Sequence, residues 1–97
     1  MLIYEIGISG NYEFYQDIRS ITLTEVWWVQ ITDDPDHRYM IITEGMILVS
    51  PYTTKTAIFE NINGKYERIQ DWATVQSQAV WITSDLKYVI VGGSTIL

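Results

Sequence analysis

With 97 residues, 47% of them hydrophobic and 13% aromatic, the chain has the apolar material for one compact domain and is not a disordered segment. Its net charge of -6 at pH 7 and the lack of any Lys/Arg cluster leave no means of attracting a phosphate backbone, so nucleic acid is not an expected partner. The absence of cysteine excludes disulfides, thiolate zinc sites and cysteine nucleophiles, and it leaves the compartment undetermined.

The opening MLIYEIGISG alternates from its first residues and has neither a basic leader nor an unbroken apolar run. A first strand is expected there in place of a signal peptide. GNYEFYQD (10–17) starts on turn residues and continues as a strand. After Asp17 the stretch QDIRSIT admits either strand or a short helix, because Asp is a good N-cap and the apolar spacing is ambiguous. In EVWWVQIT (25–32) alternation places Trp27, Val29 and Ile31 on one face, expected to be the core, and Val26, Trp28, Gln30 and Thr32 on the other. TDDPDHRY (32–39) gathers Asp33, Asp34, Asp36 and His37 around Pro35. Carboxylates with one imidazole have the chemistry to hold Mg²⁺, Mn²⁺ or Ca²⁺. No calcium-loop spacing is present, however, and His37 is the only histidine, so a hydrated hairpin tip turned by Pro35 is the plainer reading and no metal is expected. RYMII (38–42) reads as strand, and LVSPYTTKT (48–56), with Pro51 and Tyr52, reads as a linker.

The remainder echoes what came before. IFE (58–60) answers IYE (3–5), GKYERIQD (64–71) answers GNYEFYQD, the Val80-Trp81 pair answers Val26-Trp27, KYVIV (87–91) answers RYMII, and TIL (95–97) answers MIL (46–48), all in the same order. QDWATVQSQ offers the same choice of strand or short helix as QDIRSIT. The expected architecture is a single all-β domain of two structurally equivalent units related by a pseudo-twofold: repeat one at 1–48, a linker at 49–56 and repeat two at 57–97. Units of about 45 residues bury too little surface alone, so each is expected to complete the other's core. Trp27 and Trp81 are expected to sit there as equivalents.

The run AVWITSDLKYVIVGGSTI (79–96) resembles a blade of the WD-repeat propellers, with a strand, a Ser-Asp turn, a Lys-Tyr strand and a Gly-Gly pair in that order. Two copies do not close a propeller, which takes about four blades or more, so the resemblance implies a shared hairpin style. Short, cysteine-free, rich in Ile and Tyr and duplicated, the whole chain resembles the small orphan proteins of filamentous viruses of hyperthermophilic archaea. That resemblance implies a viral accessory protein or an interaction factor.

No catalytic pattern survives inspection. Asp17 and Asp71 occupy equivalent positions, as the paired carboxylates of aspartic proteases do, but the contexts QDI and QDW lack that family's Thr/Ser-Gly surroundings. GGST (92–95) lacks the Lys and spacing of a phosphate loop. What stands out is the set of aromatics that break the repeat: Phe14 and Tyr15 against Arg68 and Ile69, Trp28 against Ile82, Trp72 against Ile18. The expected function is therefore a non-catalytic module that binds a protein or extended peptide in a groove between the repeats, without a cofactor. Tyr15, Trp28, Tyr52 and Trp72 are the expected apolar anchors and Arg68 the charge partner. The alternatives are a small metal-dependent hydrolase or nuclease using Asp33, Asp34, Asp36 and His37, or a structural or virion subunit that assembles through edge strands. No run is long enough to span a bilayer, and an intracellular protein that makes no membrane contact is expected.

Overall fold

A computed structural model describes residues 1–18, 25–47, 53–74, 77–83 and 85–93. Among these the chain is all-β: β1 (Leu2–Ile6), β2 (Tyr12–Asp17), β3 (Val26–Ile31), β4 (Tyr39–Ile47), β5 (Thr53–Ile62), β6 (Lys65–Ala73), β7 (Ser77–Ile82) and β8 (Val89–Gly93). The expected turn chemistry closes the hairpins. Asn63 and Gly64 both take positive φ, 53° and 85°, giving the two-residue turn whose twist matches that of its flanking strands. No helix occurs among the described residues, which corrects the helical option after Asp71. Asp71 stands opposite Ala57 and Trp72 opposite Thr56 within the β5–β6 ladder, and that pairing overrides the local N-cap signal. The counterpart QDIRSIT lies outside the described residues beyond Ile18.

The strands form three layers. β3-β4-β5-β6 make a central antiparallel sheet, flanked by the two-stranded β1-β2 and β7-β8. On one face Met40, Ile42, Ala57, Phe59 and Tyr66 are covered by Ile18, with Met1 and Ile3 against them. On the other, Tyr39, Ile41 and Ile58 meet Val80 and Ile82 of β7, with Trp72 and Val89 at the margin. Side chains alternate across β4 and β5, so these two strands supply both cores and are the most buried. Stacking the layers makes the molecule long, 46 × 29 × 20 Å with a radius of gyration of 14.1 Å, against about 12.5 Å for a compact domain of this length. Neither core contains a tryptophan: Trp81 is 55% and Trp28 46% exposed, and Trp27 and Trp72 are half-buried. The expectation of a core pair, Trp27 with Trp81, is thereby corrected.

Strand registers explain the error. β5–β6 pairs residue for residue as β1–β2 does: Ile3 faces Gln16 and Ile58 faces Gln70, a bulge follows at Tyr15 and at Ile69, and then Tyr4 faces Phe14 as Phe59 faces Arg68. β7–β8 resembles β3–β4 in a different alignment from the one the Val-Trp pairs suggest. Ile31 faces Met40 as Ile82 faces Val89, and Val29 faces Ile42 as Val80 faces Val91. Trp81 thus takes the position of Gln30, while Trp27 is the extra residue of a bulge between Val26 and Trp28. That bulge also turns Val26 to the face of Glu44, against strict alternation. Trp28 does lie on the face opposite Val29, as expected, but Val29 and Ile31 are 48% and 42% exposed because β3 is an edge strand. The expected linker is shorter than 49–56, since β5 begins at Thr53.

Candidate docking site at the β8 edge

Three-layer stacking leaves hairpins whose outer strands have no ladder partner among the described residues, β8 being one. Its nearest structural equivalent, β4, has both edges filled, by β3 and β5. Beside β8 lies a hollow of about 230 Å³ lined by Tyr39, Ile58, Ile69, Gln70, Trp72, Ile82, Leu86 and Val89. Leu86 reaches it from a turn in the left-handed region, φ 62°. A similarly built hollow lies on the opposite side of the sheet, where Ile3, Tyr15, Ile31 and His37, with φ 45°, correspond to Ile58, Ile69, Ile82 and Leu86. There Tyr66 enters, and its hydroxyl donates to the His37 carbonyl at 2.6 Å. Burial pushes the Tyr66 phenol above its ordinary pKa.

Glutamines join the layers. Gln16 Nε2 donates to the Tyr66 carbonyl at 2.9 Å and Gln16 Oε1 accepts from the Tyr66 amide at 2.8 Å, so one side-chain amide does at the edge of β6 what a neighbouring strand would do. Lys65 Nζ donates to the Tyr15 carbonyl at 2.9 Å, and the Tyr15 hydroxyl donates to the Gly64 carbonyl. On the other side Gln30 Oε1 accepts from the Ile82 amide at 2.9 Å. Gln70, placed in β6 as Gln16 is in β2, is exposed, and its side chain makes no hydrogen bond among the described residues. It borders the hollow next to Trp72.

The residues singled out from sequence are dispersed. Tyr15 tethers the first hairpin, with Lys65 Nζ 5.0 Å from its ring centre. Arg68 is engaged by the buried Glu44 carboxylate and by Asp71 at 2.9 Å. Trp28 and Trp72 share one row across the sheet, through Thr43 and Thr56, yet stand on opposite edge strands, three strand spacings or roughly 14 Å apart. Trp28 forms, with Val26, Trp27 and Val29, a separate shallow hollow of about 300 Å³. Tyr52 lies outside the described residues. Of the four described, only Trp72 lines the hollow beside β8. Gln70 and Leu86 were missed, although the recurrence of Gln16 as Gln70 was a signal in the sequence.

In the acidic loop Asp34 and His37 bond within their own turn, while Asp33 and Asp36 are exposed. Thr32 Oγ1 donates to Asp34 at 2.5 Å, the Arg38 amide donates to the same carboxylate at 3.2 Å, and His37 Nδ1 sits 2.9 Å from the Thr32 carbonyl. The Thr32 hydroxyl is the main cause that holds the Asp34 carboxyl below its ordinary range. Thr83 and Asp85 make the same turn at 2.6 Å, with the same effect on Asp85. Among the described residues no three acidic or imidazole groups converge as metal ligands.

No protein-family profile, characterised protein or solved structure matches this chain.

Proposed function

We propose that the protein is a non-catalytic β module of two related four-strand units, β1–β4 and β5–β8, that binds a protein segment by strand addition along β8. The duplication is supported by the shared bulge and register of β1–β2 and β5–β6 and by the matching Thr-Asp turns. The observation that carries the binding reading is a contrast between equivalent places. The β4 edge is paired with β5, and Tyr66 lines the hollow beside it and bonds the His37 carbonyl, whereas the β8 edge has no ladder partner and its hollow, with Gln70 beside it, no corresponding tyrosine among the described residues. An extended segment there gains ladder hydrogen bonds from β8 and an apolar anchor in the hollow, the usual division of labour in β-augmentation.

The test is a selection of displayed random peptides and hairpins against the protein. Binders should lose at least tenfold in affinity on Gln70→Glu and on Leu86→Asp, both at exposed positions, with the melting temperature unchanged. Binders that ignore both changes and respond only to Trp28→Ala would move the site to the β3 edge.

A further inference from the structure

We infer that the segment bound at β8 is the β1–β2 hairpin of a second copy of this chain. This rests on the strand-addition reading above and names its occupant. Within one chain β4 pairs with β5, with Met40 opposite Phe59, Ile41 opposite Ile58 and Ile42 opposite Ala57. β8 is the equivalent of β4 and β1 the equivalent of β5, and the outer edges of β8 and β1 both lack a strand among the described residues. Carrying the register over sets Val89 opposite Tyr4, Ile90 opposite Ile3 and Val91 opposite Leu2 of the second copy. The two hairpins lie on opposite faces of the central sheet, so the pairing joins different molecules.

Four independent details fit this occupant. First, charge: Arg38 pairs with Glu60 at 2.8 Å and the Tyr39 hydroxyl donates to the same carboxylate at 3.3 Å. Lys87, Tyr88 and Glu5 hold the corresponding places, and Lys87 and Glu5 form no ion pair among the described residues. Second, shape: Tyr12 corresponds to Tyr66, since Ile6 faces Tyr12 as Asn61 faces Tyr66. Tyr12 is 72% exposed where Tyr66 is 4% exposed. Tyr12 of the second copy would enter the hollow beside Leu86 and donate to the Leu86 carbonyl, as Tyr66 does to His37. Third, the latch: Gln70 stands ready to bond the backbone of Tyr12 as Gln16 bonds that of Tyr66. Fourth, apolar surface: Tyr4, Ile6, Tyr12 and Phe14 share one face of the hairpin and are all more than half exposed, whereas Phe59 and Tyr66, in the places of Tyr4 and Tyr12, are buried. An exposed apolar face of this kind marks an interaction surface.

The contact is head to tail, so a bound pair still offers one free head and one free tail, and assembly continues into rings or filaments. Sedimentation velocity on the whole protein over a range of concentrations tests this. The wild type should show reversible, concentration-dependent growth. Tyr12→Asp (head) and Leu86→Asp (tail) should each weaken association at least tenfold without lowering the melting temperature. Mixing those two variants should yield a one-to-one dimer that grows no further, because one sound tail and one sound head remain. Lys87→Glu should be rescued by Glu5→Lys in the same chain. A wild type that stays monomeric to millimolar concentration overturns the second-copy occupant. If that monomer still selects strands sensitive to Gln70→Glu, the strand-addition reading survives alone. Assembly unaffected by the head and tail changes overturns the inference outright.

Discussion

Glu44 is wholly buried in the middle of β4, and its carboxylate is answered by Arg68 from β6, which also holds Asp71; Lys55 backs Asp71 at 3.2 Å. A buried carboxylate deprived of its cation is one of the few single changes that destabilise severely. Arg68→Met should therefore lower stability by about 3 kcal/mol in denaturant melts, and Arg68→Met with Glu44→Leu should recover much of that loss. Arg68 itself is held above its ordinary pKa by Glu44 and Asp71 against the opposing effect of desolvation. The Asp71 carboxyl is held below the usual 3.8, first by Arg68 and then by Lys55, and Asp34 and Asp85 are lowered as well. A group whose folded-state pKa is depressed stabilises the fold above its unfolded value and ceases to do so as pH falls through the folded value. The melting temperature should thus be insensitive to these groups near neutrality and decline below pH 3.8, less steeply in Asp71→Asn. None of the Glu44 network was legible in the sequence. A Glu between Thr43 and Gly45 looks like any solvated strand residue, and its partner lies 24 positions away.

At the scale of elements, strand content was legible because alternation and turn residues are local signals, Asn63-Gly64 being the strongest. Alignment of the two halves was less so. The Val-Trp dipeptides were the most conspicuous identity, yet the registers set Trp81 with Gln30, since hydrogen-bond pairing and the Thr-Asp turn fix a hairpin and dipeptide identity does not. Trp81→Ala should accordingly change stability by less than about 1 kcal/mol, as expected for an exposed side chain and not for a core tryptophan. The first hairpin depends on side-chain bonds at Gln16, Tyr15 and Lys65 for its attachment to the edge of β6. Gln16→Leu leaves the Tyr66 amide and carbonyl without these partners, which should cost about 1–3 kcal/mol. Hydrogen exchange should show lost protection in β1 and β2 while β4 and β5 remain slow.

For the whole molecule, the central sheet is the decisive feature, because β3–β4 come from the first half of the chain and β5–β6 from the second. Neither 1–49 nor 50–97 retains both sides of the β4–β5 ladder, so each fragment alone should show no cooperative melt. The three-layer arrangement was not legible in the sequence, because it turns on β4 pairing with β5 across a stretch that reads as a linker. The placement of the tryptophans has an optical consequence. With all four outside the cores, intrinsic fluorescence monitors the periphery, so emission from the folded protein should already be red-shifted and readily quenched by acrylamide. Global unfolding should then move it little, whereas anything that covers the region beside Trp72 should move it toward the blue.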